Sequence, residues 1–259
     1  MQVLALCNQK GGAGKTTTTA NLARAAITQG RRTLVVDLDP QGNLTSVLAA
    51  EDVAEDVVSL ADVLSPRTNI AVAEVITDGV WKGLDVLPSG GDRLAAVGSE
   101  LIVMTTGGAL RLRRALKTVA TDYDLVLIDC PPSLDLLAIN GLTAAHAAVV
   151  VTTPELFAIN GIARLLTTIG HVQEDTNPEL VIGGVVANSV QQTNRMRGWL
   201  EELAANMPAP VLHPPVQRAT WIGEALESST GLDEWGTVPA AELHRVYTSY
   251  LDTILATLT

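Results

Sequence analysis

The residues with the most chemistry in them stand near the start of the chain, in Gln9-Lys10-Gly11-Gly12-Ala13-Gly14-Lys15-Thr16-Thr17. Glycines let backbone N–H groups turn toward an anion with no Cβ in the way. A helix that begins where the run ends adds unpaired donors and a partial positive charge. The run therefore reads as a phosphate cradle built from the amides of Gly11, Gly12, Ala13, Gly14, Lys15, Thr16 and Thr17. The Lys15 ammonium can reach the β- and γ-phosphates of a nucleotide, and the Thr16 hydroxyl can ligate Mg²⁺. Far downstream, Leu125-Val126-Leu127-Ile128 runs into Asp129. Four apolar residues ending in an acid can deliver a carboxylate to the metal, directly or through water. A second acid, Asp37, ends the apolar run Thr33-Leu34-Val35-Val36.

These side chains need strands and helices to hold them, and the periodicity supplies both. Val3 to Cys7 is apolar and has the length of a buried strand, while Ala20, Leu22, Ala23, Ala26 and Ile27 recur at helical spacing within Thr18–Gln29. The phosphate loop thus joins a strand to a helix. Further strands are expected at Thr33–Asp37, Leu84–Leu87, Tyr123–Asp129, Ala147–Val151 and Leu180–Asn188. Near-continuous apolar runs of this kind belong to parallel sheets covered on both faces, whose ligands gather at the carboxyl ends of the strands. The expected fold is α/β, a single-domain P-loop NTPase over residues 1–259 with a mostly parallel, doubly wound, twisted sheet flanked by helices. Ser59–Leu64 reads as a short helix ended before Pro66, and Glu51–Asp56 as an acidic surface segment. The basic run Leu110–Lys117 reads as a crossover helix with a solvated face. The last helix, about Pro239 to Leu258, carries Leu243, Val246, Tyr247, Tyr250, Leu251, Ile254 and Leu255 on one stripe, as a helix docked on a core does.

Composition narrows the function classes. The chain has 259 residues, 47% of them hydrophobic but only 3% aromatic, so its core must be built from Ala, Val, Leu and Ile. No apolar run approaches the length of a membrane span, which points to a cytoplasmic protein. The two cysteines, Cys7 and Cys130, sit at strand ends and form no Cys-x-x-Cys pair, which argues against zinc or iron–sulfur chemistry. A net charge of −11 opposes a general affinity for nucleic acid, so DNA binding would need a local basic patch or two subunits combined.

A lysine followed by two glycines and then Gly-Lys-Thr-Thr, with Gln9 where the ordinary Walker A box has glycine, resembles the deviant Walker A box of the ParA/MinD family of ATPases. Asp37-Leu38-Asp39-Pro40-Gln41-Gly42-Asn43 is similar to that family's Asp-x-Asp-Pro-Gln-Gly-Asn loop, and Cys130-Pro131-Pro132-Ser133-Leu134 to its switch region. Glu155–Gly161 resembles the family's approach to a long helix, and Val216–Ala225 its Ile-Pro-Arg-Asn-x-Arg-x-x-Glu-Ala stretch. The resemblance runs from Val3 to about Gly231 and is loose between residues 44 and 120. With no helix-turn-helix ahead of the P-loop, the chain looks like a small ParA.

The resemblance implies Mg²⁺-dependent hydrolysis of ATP by in-line attack of water. It gives Asp39 the task of orienting that water and Lys10 a contact with nucleotide held by the other subunit of a dimer. Asp37 falls near the metal and the lysine, beside Thr16 and Asp129. Asn188 would read the adenine edge, and the Pro214-Pro215 turn would border the base. The implied output is DNA segregation: an ATP-bound homodimer coats nucleoid DNA without sequence preference, and a ParB-like centromere-binding partner stimulates hydrolysis. Candidate phosphate contacts on DNA are Arg195, Arg197 and Arg218, with Trp221 standing where the family has a second arginine. Two competitors come from other classes. A MinD-like positioning ATPase would act on a membrane or protein scaffold, but Arg245 is the one Lys or Arg of the last helix, which argues against a lipid-binding helix. A metabolic P-loop ligase, or a carrier needing cluster cysteines, is the other.

Overall fold

A computed structural model describes residues 1–54, 57–104, 107–154 and 158–258, with only the backbone of residues 158–160. The chain opens with β1 (Gln2–Cys7), α1 (Lys15–Thr28) and β2 (Thr33–Asp37). Two short helices follow, α2 (Asn43–Leu48) and α3 (Leu60–Leu64), then β3 (Thr77–Asp78) and β4 (Leu84–Leu87). The middle of the chain runs α4 (Asp92–Ile102), α5 (Arg111–Lys117), β5 (Leu125–Asp129), α6 (Leu136–Ala144), β6 (Ala147–Thr152), α7 (Ala158–Asp175) and β7 (Val181–Ala187). It closes with α8 (Asn194–Asn206), α9 (Trp221–Glu227) and α10 (Val238–Ala256).

One seven-stranded sheet carries the order β3-β4-β2-β5-β1-β6-β7. The pairings are parallel except for the two-residue β3, which lies antiparallel on β4. Alternation along each strand feeds two cores. Val3, Ala5 and Cys7 of β1 face a layer of α3 to α8 together with Val126 and Ile128. Leu4 and Leu6 face the opposite layer of α1, α2, α9 and α10 together with Leu125 and Leu127. Both faces are therefore covered, which explains why the strands read as unbroken apolar runs. The low aromatic content is concentrated where it matters: Tyr247 and Tyr250 of α10 are buried and meet edge to face at 5.7 Å.

The ambiguous stretches resolve physically. Ser59 caps α3, its backbone N–H donating to the Asp62 carboxylate at 2.9 Å. In the basic run only Leu112 and Leu116 lie in α5 and are buried, one turn apart, while Leu110 belongs to the preceding turn. Two of the arginines there are tethers. Arg111 donates to the Ser65 carbonyl at 2.6 Å and Arg113 to the Thr176 carbonyl at 3.1 Å. Trp221 is half-buried and packs on the α1/α10 core, as a large apolar side chain on α9 should. Glu51 and Asp52 are exposed, and Glu55 and Asp56 lie outside the described residues, as do Glu155, Leu156 and Phe157 ahead of α7. Among the described residues no helix is long and apolar enough to cross a membrane.

Candidate nucleotide and metal site

Parallel register brings the chemistry to one level. Leu6 of β1 and Asp37 of β2 both pair with Asp129 of β5, so the phosphate loop leaves the sheet beside two strand-end carboxylates. The loop is anchored by Asn8, whose buried side chain donates to the Val151 carbonyl at 2.6 Å and accepts the Lys10 N–H at 3.1 Å. Sequence reading passed over Asn8; a polar residue directly after a buried strand and before a glycine run was the signal available. Gly14 caps α1 with φ 90° and no side-chain cap. The first-turn amides of α1 are thus left for an anion.

Lys15 is buried, and its ammonium donates to the Lys10 carbonyl at 3.4 Å across the loop. The Thr16 hydroxyl donates to Asp129 Oδ2 at 2.6 Å. The other oxygen of Asp129 is buried and has no hydrogen-bond partner. A buried carboxylate oxygen beside a threonine hydroxyl fits one side of a Mg²⁺ site. Among the described residues no group of three or more His, Cys, Asp or Glu could hold a metal alone. A hard cation held by one carboxylate, a hydroxyl and the phosphates it accompanies needs no such group.

Of the remaining expected residues, some are tied to this centre by hydrogen bonds or by the loop itself and others lie on separate segments. Asp37 is fully buried, and its Oδ2 accepts both the N–H and the hydroxyl of Thr45 at 2.7 Å. Asp39 is half-buried in the loop after β2. Lys10, Gly11 and Gly12 are exposed on the rim of the loop, Ala13 is buried and Thr17 half-buried. Asn188 follows β7, and its amide donates to the Ala13 carbonyl at 2.9 Å, against the phosphate loop. Pro214 and Pro215 lie on the segment that runs beside the end of β7, where Val216 N–H donates to the Ala187 carbonyl. Tyr250 holds that segment by donating to the Pro214 carbonyl. Arg197 lines the same concavity as Pro215, of about 410 Å³, while Arg195 on α8 and Arg218 are exposed.

Crowding two acids in a dry layer perturbs them. Burial pushes the Asp129 carboxyl up to about 8, and Asp37 adds repulsion, against the Thr16 hydrogen bond and Lys15. Burial pushes Asp37 up to about 6, opposed by its bonds from Thr45. Both values exceed the ordinary carboxylate value of an unfolded chain. Between about pH 4 and about pH 8 the folded chain therefore keeps protons that the unfolded chain has released. These two carboxyls make stability fall as pH rises through that window, against the smaller opposite contribution of His146 and His244, whose burial holds them below the ordinary imidazole value. The nucleotide-free protein is expected to melt at least about 5 °C lower at pH 8 than at pH 5. Asp129→Asn should remove most of the difference, and a wild-type melting temperature that does not move with pH would contradict the buried charge.

Comparison with known proteins places this geometry in context. The family model described as "AAA domain" matches residues 1–182. The chain is 38% identical over 226 residues to the sporulation initiation inhibitor protein Soj of Bacillus subtilis, a match covering 86% of this chain and 87% of that one. It is 41% identical over 228 residues to the chromosome partitioning protein ParA of Caulobacter vibrioides, covering 87% and 84%. Among solved structures, a cobyrinic acid a,c-diamide synthase of Mycobacterium smegmatis with bound ADP and magnesium is 36% identical, with a TM-score of 0.81 over 98% of this chain and 94% of that one.

Proposed function

The chain belongs to the ParA/MinD family of P-loop ATPases, and on that premise we propose that residues 1–259 form one Mg²⁺-dependent ATPase domain that segregates DNA. The observation that carries the reading is the Thr16–Asp129 pair, with its unpartnered buried oxygen, level with a glycine loop that opens α1. ATP and Mg²⁺ are its cofactors, the metal supplying charge neutralisation at the β- and γ-phosphates. The amides of residues 11–16 and the Lys15 ammonium hold the triphosphate in place of water. Donors fixed in place in this way would stabilise charge that builds on the phosphate oxygens with less reorganisation than water needs. Thr16 and Asp129 hold the metal side of the site. Asp39 orients the attacking water, and Lys10 completes the site of a second copy. Hydrolysis then depends on association: ATP adds contacts between copies that ADP lacks, so the dimer persists until hydrolysis.

Arg195, Arg197 and Arg218 would contact DNA phosphates, doubled by dimerisation into a stripe that works despite the acidic total. A ParB-like partner would stimulate hydrolysis, and the protein would reside on the nucleoid. The experiment is phosphate release and DNA mobility shift with Mg²⁺–ATP. Wild-type protein should retard DNA of any sequence at low salt only with ATP, and the shift should vanish as salt rises. Asp39→Ala should lower hydrolysis by about a hundredfold or more. Absence of a shift at low salt with ATP would remove the DNA step. Retained hydrolysis in Asp39→Ala would remove the water-orienting role.

The likeness to a diamide synthase favours a second reading, a metabolic P-loop enzyme. Against it stand the Asp37–Asn43 loop and the curated relatives named for partitioning and sporulation control. ATP-dependent DNA retention would discriminate the two, since a ligase has no use for it.

A further inference from the structure

The turn Pro88-Ser89-Gly90 ends β4 at the same edge of the sheet as the phosphate loop, yet nothing in the proposed reaction uses it. Building on the assignment of Asp39 to the attacking water, we propose that Ser89 and Thr45 are positioning residues that clamp the Asp39 loop, with Asp37 as the fixed point of the clamp. The hydrogen bonds form a closed ring. Ser89 Oγ donates to the Asp39 carbonyl at 2.6 Å, and Ser89 N–H donates to Thr45 Oγ1 at 3.1 Å. Thr45 in turn donates its hydroxyl and its N–H to Asp37 Oδ2, each at 2.7 Å. Asp39 N–H returns to Asp37 Oδ1 at 3.3 Å. Ser89 and Asp37 are 1% and 0% exposed, so the ring is shielded from competing water on the sheet side.

Packing cannot hold this loop by itself. Pro40, Gln41 and Gly42 face Ser89, Gly90 and Gly91 across a pocket of about 820 Å³. A segment with open space on one side keeps a single position only through directional bonds. The ring supplies them from three parts of the chain, β2, α2 and the β4–α4 turn. Asp37 has both carboxylate oxygens engaged by the loop and by Thr45, so it serves as the anchor of the loop. The metal is left to Thr16 and Asp129. Asp39 keeps its own carboxylate placed through Oδ1, which accepts the Gln41 N–H at 3.0 Å.

Ser89→Ala removes the donor to the Asp39 carbonyl and leaves every proposed nucleotide contact in place. Because a displacement of about 1 Å at a reacting group costs up to about a hundredfold, kcat for Mg²⁺–ATP hydrolysis should fall at least about tenfold. The dissociation constant for Mg²⁺–ATP should move by less than about twofold, the split expected when only the reactive arrangement is lost. Thr45→Val should behave as Ser89→Ala does, and Thr45→Ser, which restores the hydroxyl, should recover kcat. Unchanged kcat in Ser89→Ala overturns the clamp. So does a joint loss of affinity, kcat and melting temperature in both variants, which marks a merely structural role. Asp39→Ala measured alongside separates the two levels. Retained hydrolysis in Asp39→Ala overturns the assignment of the loop to the attacking water, and the clamp with it. Loss in Asp39→Ala with full activity in Ser89→Ala overturns the clamp alone.

Discussion

Lys10→Ala is expected to abolish ATP-dependent dimerisation while the monomer still binds nucleotide. Lys10 lies on the exposed rim of the phosphate loop, where its backbone is fixed by Asn8. The lysine proposed to serve its own subunit is Lys15, which is buried and donates to the Lys10 carbonyl. The two lysines of one short loop thus differ in setting, Lys15 buried within the loop and Lys10 exposed at its rim. In the proposed dimer the Lys10 ammonium would reach a triphosphate on the other copy, where a closed, water-poor interface would make the charge worth more than on an open surface. Removing it leaves the second copy with nothing to offer the γ-phosphate. Light scattering with Mg²⁺–ATP should report monomers for Lys10→Ala and dimers for the wild type, while titration with a fluorescent nucleotide should give similar affinities for the monomers. Dimers of unchanged population in the variant would dismiss the cross-subunit role. Dimers that do not respond to ATP in either protein would dismiss the nucleotide dependence.

Gly14→Ala is expected to weaken nucleotide binding by tens to about a hundredfold. Gly14 caps α1 at φ 90°, in the left-handed region, where a Cβ costs about 1–2 kcal/mol. An added Cβ would also stand 2.0 Å from Asn188 Nδ2. The amide could swing away, but only by giving up its hydrogen bond to the Ala13 carbonyl, worth about 1 kcal/mol. Either adjustment moves the turn whose amides hold the phosphates. Calorimetric titration with Mg²⁺–ATP reads the effect. Wild-type affinity in Gly14→Ala alone would show that the loop does not require its left-handed turn.

The two variants draw on different kinds of information. The role proposed for Lys10 comes from the resemblance of Lys10-Gly11-Gly12 and the following Gly-Lys-Thr-Thr to the deviant Walker A box. The strands too were legible: Thr33–Asp37 and Leu84–Leu87 begin and end where the apolar runs do, because a parallel strand buried on both faces leaves an unbroken apolar signature. Asp129 was legible for the same reason, as the first charge after such a run. The partial spacing of Leu110, Leu112 and Leu116 misled nothing once the helix was seen to start at Arg111. Asn8 was overlooked because an asparagine after a strand is ordinarily a turn residue, and its bond to Val151 spans 143 positions.

By itself the sequence determined the glycine loop between a strand and a helix, the acids at strand ends, the α/β class and the family, because each is written in local spacing or in a short motif. Only the tertiary structure decided how the acids divide the work. Asp37 and Asp129 look alike along the chain, each an aspartate ending a buried strand. Folding brings Thr45 to one and Thr16 to the other, so one becomes a loop anchor in our reading while the other keeps an oxygen without a partner, which could face a metal. Those partners come from 8 to 113 positions away, and no local pattern encodes which hydroxyl a carboxylate will meet across a sheet edge.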